Sequence, residues 1–340
     1  MPASLVIQTS FLGDTVLTTP LLAQLARRGP VDIVTTPAAG ALLANHPAVR
    51  HVIAYDKRGM DRGIGGFLAL ARRLRTSRYE VVFLAQGSWR SSALALIAGI
   101  PSRVGFATSA GRLFYTKRVA YGDGLHHAAR LLMLARPNGR EPSADELKPT
   151  LHPGDTERAA VDALLARERF AGGEQLIALA PGSVWGTKRW PYYPELARTL
   201  ADVARIVIIG GSDDTELARA IVGAVPGTID ATGQLSLLAS AELIGRTAAL
   251  VTNDSAPLHL ASAMGTPTVA IFGPTVPAFG FGPLAPRAVI AGHPALPCRP
   301  CDRHGPAQCP LGHFRCMREL DPATIGEHVR SLLLTPDVHA

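Results

Sequence analysis

Short apolar, β-branched runs alternate with longer amphipathic stretches along most of this chain. Residues 5–8, 31–35, 49–55 and 81–85 read as strands, and residues 15–28, 38–45, 66–75 and 91–98 as the helices between them. Strands joined by crossover helices pair in parallel, so the first half predicts one parallel sheet. From Pro137 to Asp155 the pattern dissolves into Pro, Gly, Glu and Asp. A helix over 156–169 follows, and Phe170-Ala-Gly-Gly173 marks a hinge. The rhythm then restarts, with strands at 176–180, 206–209, near 229, 250–252 and 268–272, and helices at 193–203, 213–225, 237–246 and 257–264. The expected architecture is α/β, with domains at 1–170 and 171–340. At 340 residues the chain exceeds what one core ordinarily fills. Two such domains bind ligands outside the carboxyl ends of their strands, here across a central cleft.

Composition narrows the partners. A formal charge of +7 suits nucleic acid, an anionic membrane surface or a phosphorylated substrate. Aromatics are only 6% of the residues and no nucleic-acid module is present, so nucleic acid is set aside. The first ten residues read directly as a strand rather than a signal peptide, and no apolar run reaches the ~18 residues of a membrane span. A cytoplasmic protein is expected, with membrane contact at most peripheral.

The chemistry-bearing residues fall on loops after strands. The first loop, Thr9-Ser-Phe-Leu-Gly13-Asp14, lacks the Gly-x-Gly-x-x-Gly of a dinucleotide site, and its carboxylate would repel phosphates. Asp14 reads either as the N-cap of the following helix or as a general base for an acceptor hydroxyl, and both can hold together. After residues 176–180, Gly182, Ser183, Thr187 and Lys188 form a candidate diphosphate clamp, against the plainer reading of a solvated basic turn. Gly211, Asp213 and Glu216 follow the next strand, where an acid can accept from ribose hydroxyls or a Ser-Asp-Asp cluster can cap a helix. Asn253, Asp254, Ser255, Ala256, Pro257 and His259 run from a strand into a helix start able to hold an anion or a sugar. No Gly-x-Ser-x-Gly elbow accompanies the serine, which removes a hydrolase.

Taken together these loops resemble the ADP-heptose:LPS heptosyltransferases, and most of all the heptosyltransferase II branch. The likeness rests on Gly13-Asp14 with Thr18-Thr-Pro20-Leu-Leu22, and on Pro181-Gly-Ser183 through Lys188-Arg-Trp-Pro191. It continues through Thr252-Asn-Asp254-Ser-Ala-Pro-Leu-His259 and Phe272-Gly-Pro-Thr275 to the cysteine-bearing tail. The resemblance implies a GT-B-like fold of two Rossmann-like parallel-sheet domains, the first holding the acceptor and the second ADP-heptose, with the last helix returning to the first domain. It implies inverting transfer without a required cofactor, with Asp14 as base, Lys188 as phosphate-binding cation, and Asp254, Ser255 and His259 as donor contacts. The loop from Asp213 to Glu216 is similar to the family's nucleoside-facing loop. An acidic, lipid-anchored lipopolysaccharide inner-core acceptor gives Gly13, Arg58 and Arg62 an acceptor-binding role, and the arginines at 72, 73, 75 and 78 bind core anions or the inner membrane's cytoplasmic face, or are simply a solvated helix face. Three readings stay open beside it: a heptosyltransferase I, another GT-B enzyme with a different nucleotide sugar, and a non-catalytic nucleotide-sugar-binding protein.

Cys298, Cys301, Cys309 and Cys316 are the four cysteines, spaced C-x2-C-x7-C-x6-C near His304 and His313. The first pair has zinc-ligand spacing and the second is wider than usual, so the segment is either a zinc (or Mg) site or a loop of reduced thiols.

Overall fold

The computed structural model describes residues 3–136, 140–171 and 173–334. Residues 137–139 of the expected connecting stretch and Gly172 of the expected hinge lie outside the described residues. Two compact units divide the chain between His152 and Pro153.

The first unit runs β1 (Ser4–Ile7), α1 (Leu12–Ala26), β2 (Val31–Thr35), α2 (Pro37–Ala41), β3 (His51–Ala54), α3 (Gly63–Thr76), β4 (Val81–Leu84), α4 (Trp89–Ile97), β5 (Ser102–Phe106), β6 (Lys117–Val119), α5 (His127–Ala135) and α6 (Ala144–Leu147). Its strands form one six-stranded sheet in the order β3-β2-β1-β4-β5-β6. Each pairing is parallel. Helices cover both faces, so strands such as β2 are buried along their whole length and read as continuous rather than alternating apolar runs.

The second unit runs α7 (Asp155–Arg167), β7 (Leu176–Ala180), α8 (Tyr193–Leu200), β8 (Arg205–Ile208), α9 (Thr215–Ala224), β9 (Ile229–Asp230), α10 (Leu237–Gly245), β10 (Ala249–Asn253), α11 (Ala256–Met264), β11 (Thr268–Ile271), β12 (Ala288–Ala291), α12 (Arg315–Arg318) and α13 (Pro322–Leu334). Its sheet order, β12-β11-β10-β7-β8-β9, repeats that of the first unit from the opposite edge. In both, strand order reverses beside the unit's first strand, between β1 and β4 and between β7 and β10. At such a switch point a doubly wound sheet opens a crevice for ligand. Within its unit α13 packs on α8: Ile325, Val329 and Leu332 join the core of Leu196 and Leu200, and Arg330 donates to the Thr199 carbonyl.

The expected boundary at 170–171 is corrected to 152–153. α7 buries Val161 and Leu164, packs on α10, and is tied by an Arg246–Asp162 ion pair. The spacing had given that helix to the first domain because the glycines after it look like a hinge. β5, β6, α5 and β12 were not anticipated. β5 is broken in pattern by Arg103, which donates to the Ile100 and Phe114 carbonyls, and by Gly105, against which the Tyr115 ring packs where a Cβ would stand. Residues 153–340 alone should melt cooperatively and at a higher temperature than residues 171–340. Burial of Val161 and Leu164 stabilises the longer piece by roughly 3–6 kcal/mol, and thermal circular dichroism checks the order.

Candidate functional site

At the carboxyl edge of the first sheet, α1 begins at Leu12 with Phe11 as its N-cap, three residues before the expected start. Asp14 is therefore in the third helical position and is not the cap: its Oδ2 accepts from the Phe11 N–H at 3.4 Å. The spacing misplaced the start because Phe11 is not a capping residue type and Asp14 is. The Thr-Thr-Pro run lies one turn farther along α1. Pro20 cannot donate to the Val16 carbonyl, and the Thr19 hydroxyl does so instead at 2.8 Å, while the Thr18 hydroxyl donates to the Asp14 carbonyl at 2.7 Å.

Burial pushes the Asp14 carboxyl up to about 6, and the Phe11 N–H pulls weakly the other way. His127 Nε2 lies 3.8 Å from Asp14 Oδ1, and the two side chains are 12% and 17% exposed. His127 escaped the sequence reading because it comes from α5, more than a hundred residues away in the chain. It is set there by Arg130, whose guanidinium donates to the Gly122 and Asp123 carbonyls and to the Tyr121 hydroxyl.

The loop leading to Asp14 is pinned from the loops that follow β3 and β4. Lys57 Nζ donates to the Thr9 carbonyl at 2.8 Å, and Gln86 Nε2 donates to the Thr9 and Ser91 hydroxyls at 2.5 and 2.7 Å. Thr9, Tyr55, Lys57, Phe67, Ser88 and Arg90 line a small pocket beside it. Burial lowers the Lys57 ammonium's pKa, helped by the charges of Arg58 and Arg90. Of the expected acceptor residues, Gly13 is buried in the first turn of α1, and Arg58 and Arg62 are exposed in the β3–α3 connection.

In the second unit the clamp residues converge. Lys188 is 8% exposed, which removes the solvated basic turn, and its Nζ donates to Asp254 Oδ2 at 2.6 Å. The same Oδ2 accepts from the Thr275 hydroxyl at 2.7 Å. Asn253 is wholly buried, accepting from the Trp190 N–H and donating to the Pro181 carbonyl, so it holds the β7–α8 loop against β10. Ser183 and Thr187 are buried in that loop, Thr187 donating to the Pro306 carbonyl. Ser255 is the N-cap residue of α11 without using its hydroxyl as a cap, and Ala256 and Pro257 form the first turn, so the start of α11 opens next to Asp254. His259 is buried one turn on, with its ring edge-on to Phe281.

The Gly-rich loop after β8 is arranged differently from its sequence reading. Glu216 pairs with Arg219 at the surface and Asp213 is exposed, while Asp214 turns inward and accepts from the Gly211 N–H at 3.0 Å. A Cβ on Gly182 would stand 2.3 Å from an Asp214 carboxylate oxygen, so glycine there is what lets the β7 and β8 loops meet. Asp214 and Thr275 were missed because their partners come from other loops. Cys316 is buried and Cys301 exposed, and among the described residues no group of three or more His, Cys, Asp or Glu is arranged to hold a metal.

Two doubly wound sheets with these carboxyl-edge loops place the protein in the GT-B class of glycosyltransferases. The family model of glycosyltransferase family 9 (heptosyltransferase) matches residues 67–311, and the chain belongs to that family. It is 29% identical to lipopolysaccharide heptosyltransferase 2 of Escherichia coli K12, over 97% of this chain and 98% of that one. It is 27% identical to lipopolysaccharide heptosyltransferase 1 of Pseudomonas aeruginosa PAO1, over 98% of both. The solved E. coli ADP-heptose LPS heptosyltransferase II superposes with a TM-score of 0.80, at 25% identity over 98% of both chains.

The raised Asp14 carboxyl has a stability consequence. Its charged form is disfavoured by folding, so the folded state loses stability as pH rises from about 3.8 through about 6. Asp14→Asn should therefore raise stability by roughly 1–3 kcal/mol at pH 8, with no gain below pH ~4; urea melts at the two pH values check it, and no gain at pH 8 would count against a raised carboxyl.

Proposed function

We propose that the chain transfers heptose, with inversion, from ADP-heptose to the inner core, and that its acceptor is the mono-heptosylated Kdo2-lipid A. The observation that carries the chemistry is Asp14: a buried carboxyl held near neutrality is suited to take a proton at working pH. As the acceptor oxygen attacks C1 of the heptose, Asp14 receives its proton and the bond from C1 to the ADP oxygen breaks. Lys188 and the N-terminus of α11 stabilise the charge growing on the leaving diphosphate. Gly182, Ser183 and Thr187 shape the clamp, and Asp254, Ser255, Ala256, Pro257 and His259 face the diphosphate and sugar, with Asn253 holding their loop. Gly211, Asp213 and Glu216 lie toward the nucleoside. One inverting displacement needs no covalent intermediate. The first unit takes the acceptor, with Gly13, Arg58 and Arg62 beside its acidic groups.

The second-heptose assignment is favoured by the E. coli relative, and the P. aeruginosa relative keeps a first-heptose transferase as the other reading. Purified protein, ADP-heptose and either deacylated Kdo2-lipid A or its mono-heptosylated form separate them. Product should appear with the mono-heptosylated acceptor, with kcat/KM rising through pH about 6 and a drop of roughly 10²–10⁴ in Asp14→Ala. Product only with the unheptosylated acceptor would assign the first transfer, and none with either would remove the substrate.

A lipid-anchored acceptor is met at the cytoplasmic face of the inner membrane, and the proposed contact is peripheral. Among the described residues no helix is long and apolar enough to cross a membrane. Met60 and Ile64 are 94% and 78% exposed between Arg58 and the arginines of α3, an apolar tip in a basic surround suited to an anionic lipid surface. Vesicles containing phosphatidylglycerol should retain the protein where phosphatidylcholine vesicles do not, and Met60→Ser/Ile64→Ser should weaken retention several-fold without slowing transfer to the deacylated acceptor. Equal flotation on both lipids would count against the contact.

A further inference from the structure

The segment that carries the four cysteines has no part in the chemistry above, yet it is fastened to the donor loops at several points. The Cys301 N–H donates to the Pro274 carbonyl at 2.8 Å. The Pro306 carbonyl accepts from the Thr187 hydroxyl, and the His304 ring stacks on Trp185 with centroids 6.4 Å apart. Gly305 is buried against Thr187 and Lys188, with Lys188 Cε 3.4 Å from where its Cβ would be.

At the start of this strap the Arg299 guanidinium is half-buried and spends its donors on carbonyls alone. Nε donates to Gly273 at 2.6 Å, Nη2 to Phe272 and Thr275 at 2.9 and 3.2 Å, and Nη1 to His293. Three of these four acceptors belong to residues 272–275, the turn that leaves β11. A guanidinium desolvated among neutral carbonyls, with none of the described carboxylates as its ion-pair partner, is a costly arrangement, and it stays in place through the turn it shapes. Room for it is kept by glycine: a Cβ on Gly292 would stand 2.8 Å from Nη2.

What the turn delivers is the Thr275 hydroxyl. Thr275 is 1% exposed, and its bond to Asp254 Oδ2 fixes the carboxylate that also receives Lys188. We infer that Arg299 is a positioning residue of the donor site, acting through Thr275 and Asp254 to set Lys188 for the diphosphate of a nucleotide donor. Arg299 does not reach the ligand itself. Its effect passes along a chain of contacts from guanidinium to turn carbonyls, from the Thr275 hydroxyl to the carboxylate, and from there to the ammonium. The strap brings Arg299 to the turn and covers Lys188.

This inference rests on the reading of the second unit as the donor site, and the test uses ADP alone, without an acceptor. Calorimetric titration of the full chain with ADP is compared for the parent, Arg299→Met, Thr275→Val and the double variant. Each single change should weaken ADP binding about tenfold, a loss of roughly 1.4 kcal/mol, and the double should be no weaker than the worse single, because both cut the same chain of contacts. In turnover the loss should fall on KM for the donor and on kcat, with acceptor KM nearly unchanged, and Arg299→Lys should recover part of it. If Arg299→Met does not fold, the same cycle is run with Arg299→Lys. Additive losses, or ADP binding untouched by Arg299 substitution, would overturn the positioning role while leaving the donor reading intact. A parent chain that does not bind ADP would overturn both.

Discussion

The second unit is organised around one buried ion pair. Lys188 and Asp254 come from loops after β7 and β10, and each side chain is only 10% exposed. Taking both charges out of water is expensive, and their attraction repays it only when geometry is good and the remaining hydrogen-bonding capacity is met. The neighbouring loops meet that demand. Asn253 ties the β7–α8 loop to β10, Thr275 supplies a second donor to the carboxylate, and Gly182 lets the β8 loop close over the first. Removing either charge would strand the other. Keeping both leaves an ammonium next to the start of α11, restrained by a partner that an incoming phosphate can compete with.

Two carboxylates of the first unit show how environment divides their work. Asp14 and Asp32 are both withdrawn from water. Asp32 lies near the amino end of β2, where burial pushes its carboxyl up but the Arg50 guanidinium and the Tyr79 hydroxyl outweigh it, holding the group below the ordinary carboxylate range. It is a structural anion. Asp14 sits at the other end of the sheet with one weak backbone donor, and burial wins. The same side chain is thus a fixed charge at one edge and a carboxyl whose protonated form burial favours at the other.

Much of this was legible from residue patterns. Parallel strands buried on both faces leave unmistakable apolar runs, and Lys188, Asp254 and Ser255 were found because they follow such runs into helices. The parts that were not legible depend on distant residues. Asp14 falls in the third helical position because the chain enters α1 through Phe11, and His127 reaches it from α5. Asp214 rather than Asp213 turns inward because Gly182 leaves it room. The boundary at 152–153 depends on where α7 packs, which its own sequence does not state. β5 was hidden by an arginine and a glycine whose reasons, the Phe114 carbonyl and the Tyr115 ring, lie farther down the chain.

The repeated strand order makes a last point about what the fold contributes. Both units present a switch point and a set of loops at the same edge, yet they are furnished for opposite tasks. The first loop of unit one carries an acid that would repel a diphosphate, and its cations lie in the pocket beside β3 and β4. The corresponding loop of unit two carries glycine, hydroxyls and a buried lysine that is paired with Asp254 from the loop after β10. The sheet fixes where chemistry happens, and the charge placed in the first loop fixes which partner of the reaction that edge can receive. In the transfer we propose, the carboxylate there meets a hydroxyl to be deprotonated and the ammonium a phosphate to be released, so one architecture used twice serves both halves of that reaction.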